Sequence, residues 1–212
     1  MTNCRLMASL AKPMAFAAIV FATPCLAAAA PAIESAYTKV DENTCKWDQP
    51  AEGEDEAVDG GCATCPGHGA YIVRLCESDL RQSVFYGSAI PEEMSWNSFG
   101  QFNHAGPTVE WRLSFGEPYA AIHRFFIENS DDNGDVTPQN QGQVLVISTV
   151  AGAFNTASCA VGYVDARANP NPNELARQVA DELAMRFECG KDRPQFHGVR
   201  GPLAGNPTGL DE

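Results

Sequence analysis

The sequence predicts an α+β domain, an antiparallel β-meander of about six strands covered by a C-terminal helix and stabilised by disulfides. Three observations carry this. In residues 109–115, Val109, Trp111, Leu113 and Phe115 alternate with Glu110, Arg112 and Ser114, the period of a half-buried strand. In residues 171–187 a helix start signal precedes an apolar stripe of helical period. Six cysteines remain once an N-terminal leader is removed, an even set that reads as a disulfide framework.

The leader comes first in the chain. Arg5 and Lys12 precede a continuously apolar run from Met14 to Ala22, and no acidic residue lies before residue 30. A nine-residue helix rises only about 13 Å, under half of a bilayer core, so the segment reads as a signal peptide over residues 1–29 and not as a stable membrane span. Pro24 breaks the helix, and Ala27 and Ala29 place small side chains at the cleavage site. Acylation at Cys25 is disfavoured by Pro24, which stands where a lipid-attachment motif needs a small, flexible residue.

Cleavage after Ala29 removes two basic residues and no acidic one, so the net charge moves from −13 to −15. A chain this negative repels nucleic-acid backbones and anionic lipid surfaces, leaving a protein or a small ligand as the expected partner. Residues 30–69 are expected to be an irregular acidic segment, because Glu52, Glu54, Asp55, Glu56 and Asp59 would repel one another in a compact form.

A single domain over residues 70–190 follows. Strands are predicted at 71–76 and 80–86, joined by a turn at residues 77–79, then at 109–115, 119–128, 144–150 and 159–165. Most connections are too short for a helical crossover, so consecutive strands are expected to pair antiparallel. Asn171 at the N-cap, Pro172 at the first helical position and Glu174 two residues on open the helix. Its stripe is Leu175, Val179, Leu183 and Phe187, flanked by Ala176, Ala180 and Ala184, and it needs a sheet to cover. Residues 191–212, rich in Gly, Pro and polar side chains, are expected to form a disordered tail.

The motifs yield no catalytic residue, cofactor site or metal centre. Cys62 and Cys65 form a C-x-x-C, but Pro66 and the glycines after it deny the pair the helix N-terminus that activates a redox thiol. Cys62, Cys65, His68 and Cys76 have an unusual spacing for zinc, and exported thiols are more often oxidised. Asp131, Asp132 and Asp135 around Asn133 and Gly134 resemble part of a calcium loop, yet the position twelve along is Gly142 in place of Glu. A turn at Asn133 and Gly134 is the better account. His123 is expected to be packed or hydrogen-bonded in its strand. The long connector at residues 88–107 carries Trp96, Phe99, Phe102 and His104, a candidate binding loop unless its rings fold back to cap the sheet.

Residues 65–67, 79–87, 108–112 and 159–165, with the helix at 174–189, resemble an uncharacterised family of exported bacterial proteins. The resemblance implies cysteines at Cys45, Cys65, Cys159 and Cys189, with Cys62 and Cys76 as an addition in this chain, and it implies no activity. The family likeness and the element lengths together point to a Cys159–Cys189 bridge. A strand over 159–165 advances about 20 Å and a helix over 172–188 about 25 Å, so an antiparallel return brings the two cysteines level. With that bridge in place Cys45 would pair with Cys65 and Cys62 with Cys76, while the sequence leaves the connectivity of these four open. The expected function is an exported non-catalytic binding or envelope-associated protein, periplasmic or secreted, an inhibitor of a secreted hydrolase being one form. The alternative is a thiol–disulfide protein using Cys62 and Cys65.

Overall fold

A computed structural model describes residues 32–49 and 60–208. The expected signal peptide and most of the acidic run lie outside the described residues. The strands are β1 (Ile33–Lys39), β2 (Lys46–Trp47), β3 (Gly60–Pro66), β4 (Ile72–Ser78), β5 (Arg81–Gly87), β6 (Asn103–Ser114), β7 (Glu117–Ile127), β8 (Gly142–Thr149), β9 (Ala160–Asp165) and β10 (Gln195–Phe196). The helix α1 spans Pro172–Leu183 and tightens into a single 3-10 turn at Ala184–Arg186.

This corrects the predicted fold class. The protein is mostly β, built on a ten-stranded mixed sheet, not an antiparallel meander of six strands. Strands occupy all six predicted stretches, but β1, β2, β3 and β10 join them, and two strand pairs run parallel. One parallel contact follows from the long connector: residues 88–102 bring the chain back to the start of β5, where Asn103 pairs with Arg81. The other forms when the chain leaves α1 and lays β10 beside β9.

β5 touches β6 through that one pair and then diverges, because β1 occupies the same edge of β6 from Thr108 to Ser114. Two leaves result, β2–β5 and β1 with β6–β10. They fold over one another around Val73, Leu75, Val84 and Tyr86 on one side and Val109, Trp111, Ala121, Phe125, Val144 and Val146 on the other. The opposite faces of β7 and β8, carrying Ala120, Ile122, Leu145 and Ile147, pack against Ala176, Val179, Ala180 and Ala184 of α1. Period two thus sends alternate residues of the central strands into two different cores. Each large side chain so buried contributes about 1.5–3 kcal/mol.

Three local expectations change. The polar face of β6 is not wet: Glu110, Arg112 and Ser114 are all buried, because β1 and α1 cover them. Phe115 leaves the alternation to form the turn into β7, where its φ is 53° and the ring is 78% exposed. Asn171 caps α1 through its backbone, its carbonyl accepting from Leu175 N, with no side-chain cap bond.

The two segments expected to be irregular are partly structured. Ala63 and Cys65 of β3 are buried, Ala36 of β1 packs on the core, and Thr38 Oγ1 accepts from Trp111 Nε1 at 3.0 Å. Residues 191–208 lie on the sheet instead of hanging free. His197 N bonds to Tyr163 O, Gly201 N to the Asp165 carboxylate, and Thr208 N to Ser98 O, while Ala204 is fully buried. Polar composition misleads here because backbone hydrogen bonds, with the few apolar contacts of Phe196 and Ala204, hold the segment.

Candidate functional site

The helix is pinned to the sheet by a buried polar network. Arg112 donates through Nε and a terminal nitrogen to both oxygens of Asp181, at 2.8 and 2.7 Å, and also to Ser35 Oγ. Tyr119 donates its hydroxyl to the same carboxylate. Burial and the hydrogen bond to Asp181 raise the Tyr119 pKa well above the phenol range, so it remains a donor. Burial alone would lower the Arg112 pKa, but the hydrogen bonds and charge of Asp181 outweigh it and leave it raised. Arg177, one helical turn earlier, meets Glu110 at 3.3 Å, and Ser35 Oγ donates to that carboxylate at 2.6 Å. Among the described residues no buried side-chain nitrogen or oxygen lacks a partner.

Beside the first turns of α1 the network opens into a cleft of about 340 Å³. Its floor is Ile122, Leu145 and Phe126, and its walls carry Glu110, Arg124 and Arg177. β7 supplies Arg124 on the face turned toward the helix, in register between Ile122 and Phe126. The guanidinium donates to Gln143 Oε1 at 3.0 Å and Asn173 Oδ1 at 3.3 Å, both neutral acceptors. Burial pulls its pKa down. Among the described residues Arg112 and Arg177 each have a carboxylate within ion-pair distance, and Arg124 has none.

A break in β6 shapes the cleft's upper wall. Gly106 and Pro107 interrupt the β6–β7 register between Ala105 and Val109, and Pro107 has no N–H to give the ladder. The interruption turns the Gly106 carbonyl inward, where His123 Nε2 donates to it at 2.5 Å. His123 Nδ1 must then accept, and Tyr86 donates its hydroxyl to it at 2.8 Å. Full burial brings the His123 pKa down to about 4, so the ring is neutral at neutral pH. A second cleft of about 480 Å³ lies beside the last turn of α1, where Arg186, Asp192, Arg193 and His197 mix both signs of charge.

The sequence-derived site residues fall in several places. The disulfides are Cys45–Cys65, Cys62–Cys76 and Cys159–Cys189. Cys62 and Cys76 face each other across β3 and β4, and β2 brings Cys45 opposite Cys65. Cys159 and Cys189 have Cα atoms 5.8 Å apart, within the ordinary bridging range. Of the zinc alternative, Cys62, Cys65 and Cys76 are held in disulfides. Among the described residues no cluster of His, Cys, Asp and Glu has metal-binding geometry. The acidic turn closes on itself: Asp131 Oδ1 accepts from the backbone N of Asn133 and Asp135, which lowers its pKa.

The candidate binding loop divides. Phe99 is buried against Phe125 and Tyr163 and caps the core. Trp96 and Phe102 stay exposed, Phe102 under the Arg81 guanidinium, and His104 stacks on Phe126 with its Nδ1 3.4 Å from Glu128. The loop therefore presents separate rings and not one surface. Arg124, Arg177 and Glu110 were not singled out by the sequence. The available signal was Arg124 standing among Ile122, Phe125, Phe126 and Ile127 in a strand, in a chain with only 14 basic residues.

Compared with protein-family models, curated proteins and solved structures, the chain matches none. Three disulfides fit an exported protein, and among the described residues no helix is long and apolar enough to cross a membrane.

Proposed function

We propose that this is an exported, disulfide-stapled binding protein that receives a small ligand in the cleft between β6–β8 and the first turns of α1. The observation that carries this is Arg124, a half-buried cation in a cleft of about 340 Å³ whose only partners among the described residues are neutral amides. A desolvated charge costs several kcal/mol unless something opposite it completes the site. The cleft joins an apolar floor to a few placed polar groups, the usual composition of a ligand pocket.

Export rests on the leader at residues 1–29, the oxidised cysteines and the resemblance to exported bacterial proteins. Release to the periplasm or the medium follows cleavage after Ala29. The thiol–disulfide alternative has weaker support, because Cys62 and Cys65 are bonded to other cysteines and not to each other.

The test is thermal unfolding of the purified protein against a panel of amino acids, organic acids, sugars, nucleotides and short peptides. A ligand at about 100 times its Kd adds about 2.7 kcal/mol and raises Tm by about 5–10 °C. Asn173→Trp places a large ring at the exposed mouth of the cleft and is expected to abolish the shift. No shift with any class, or an equal shift in the variant, refutes the proposal.

A further inference from the structure

We infer that the ligand of this cleft is a small organic carboxylate with an apolar body, its carboxylate held between Arg124 and Arg177. The inference rests on the binding function proposed above and adds the chemical class. Arg124 commits two of its five N–H donors, to Gln143 and Asn173. Arg177 approaches Glu110 through one terminal nitrogen only, which leaves most of its fork available. Glu110 is already engaged from within by Ser35. A third cation stands at the rim, where Lys39 Nζ donates at 2.6 Å to Thr108 Oγ1 on the cleft wall.

The lining thus carries two arginines against one carboxylate, with Lys39 bonded to its wall, in a chain of 27 acidic and 14 basic residues. Such a local excess of positive charge selects for an anion. The rest of the lining decides which anion. Tyr37, Thr108 and Asn173 add polar groups, but the side chains of Pro107, Ile122, Phe126 and Leu145 offer no donors, so an ion needing hydrogen bonds on every side, such as inorganic phosphate, would lose hydration against them without replacement. A carboxylate is one-ended: its two oxygens match the guanidinium fork, and its hydrocarbon covers the apolar floor.

The experiment follows the arginine Nε–H signals of nitrogen-labelled full-length protein by NMR during titration with phenylpropionate, phenylpropanamide and inorganic phosphate. The Arg124 and Arg177 signals, assigned from Arg124→Gln and Arg177→Gln, are expected to shift saturably with phenylpropionate and to stay in place with the other two probes. Arg124→Gln keeps its amide neighbours and is expected to weaken phenylpropionate at least about tenfold, the loss typical of a charged hydrogen bond. Arg124→Lys is expected to fall between, having charge without the fork.

Equal shifts with the amide would overturn the carboxylate assignment while leaving the binding function intact. Equal shifts with phosphate would overturn the apolar body. Silence of both arginines toward all three probes at millimolar concentration also overturns the assignment, and the thermal panel then decides the binding function separately. An Arg124→Gln protein that melts lower yet keeps its phenylpropionate affinity would reduce Arg124 to pinning the helix.

Discussion

Acidification from pH 7 to pH 5 is expected to cost this protein about 2 kcal/mol through one side chain, His123. The ring is fully buried, its Nε2 donates to Gly106 O, and its Nδ1 accepts from Tyr86. Protonation would put a second N–H against the Tyr86 hydroxyl, which could then no longer donate to the ring. The folded pKa is about 4 against 6.5 for a free imidazole. The unfolded chain therefore binds this proton first, and stability is fully present above pH 6.5 and falls as pH drops toward 4. Each pH unit inside that window costs about 1.4 kcal/mol. His197, whose pKa burial also lowers, contributes with the same sign and is common to both proteins compared. The assay is urea unfolding of wild type and His123→Gln at pH 7, 6 and 5. The variant is less stable at pH 7 but is expected to lose about 2 kcal/mol less on acidification. Parallel losses in the two proteins, or an NMR titration placing His123 near 6.5, would refute the buried neutral ring.

Asp181→Ala leaves Arg112 covered and without its carboxylate. It is expected to destabilise by about 2–4 kcal/mol, below the full value for a buried pair because Asp181 is 28% exposed. Denaturant unfolding reads this directly. Replacing Cys159 and Cys189 together by Ser opens a loop with a sequence separation of 30 and is expected to cost about 3–4 kcal/mol on the chain-entropy model, measured the same way. Gly142→Ala would bring a Cβ to 1.8 Å from the Leu203 carbonyl, so it is expected to cost about 1–3 kcal/mol and to expose residues 199–208 to protease in limited digestion.

Part of this architecture is legible in the chain because a side-chain pattern reports any contrast between an element's two faces. Trp111 and Leu113 contrast with Glu110 and Arg112, and the stripe of α1 contrasts with its exposed residues, so both elements can be placed without coordinates. β3 has no such contrast: Gly60, Gly61, Cys62, Ala63, Thr64 and Cys65 are all small, and only packing separates the buried Ala63 from its neighbours. In β1 the contrast is inverted, since Tyr37 is 61% exposed while Ala36 and Thr38 turn toward the core. The cleft was illegible for a related reason. Arg124 reads as a charge in a strand, and nothing local says whether a carboxylate or an amide will stand beside it.

By itself the sequence determined the helix, the six alternating or apolar stretches, the acidic charge and an even cysteine set suited to an oxidising compartment. Those features are local, set by the period of one element or the composition of the chain. Only the tertiary structure decided that polar residues of β6 are buried, that the C-terminal segment packs on the sheet, that two strand pairs run parallel, and that among the described residues Arg124 bonds amides and no carboxylate. Each depends on which elements meet across long stretches of chain, and partner identity, not residue type, sets the environment of a polar group.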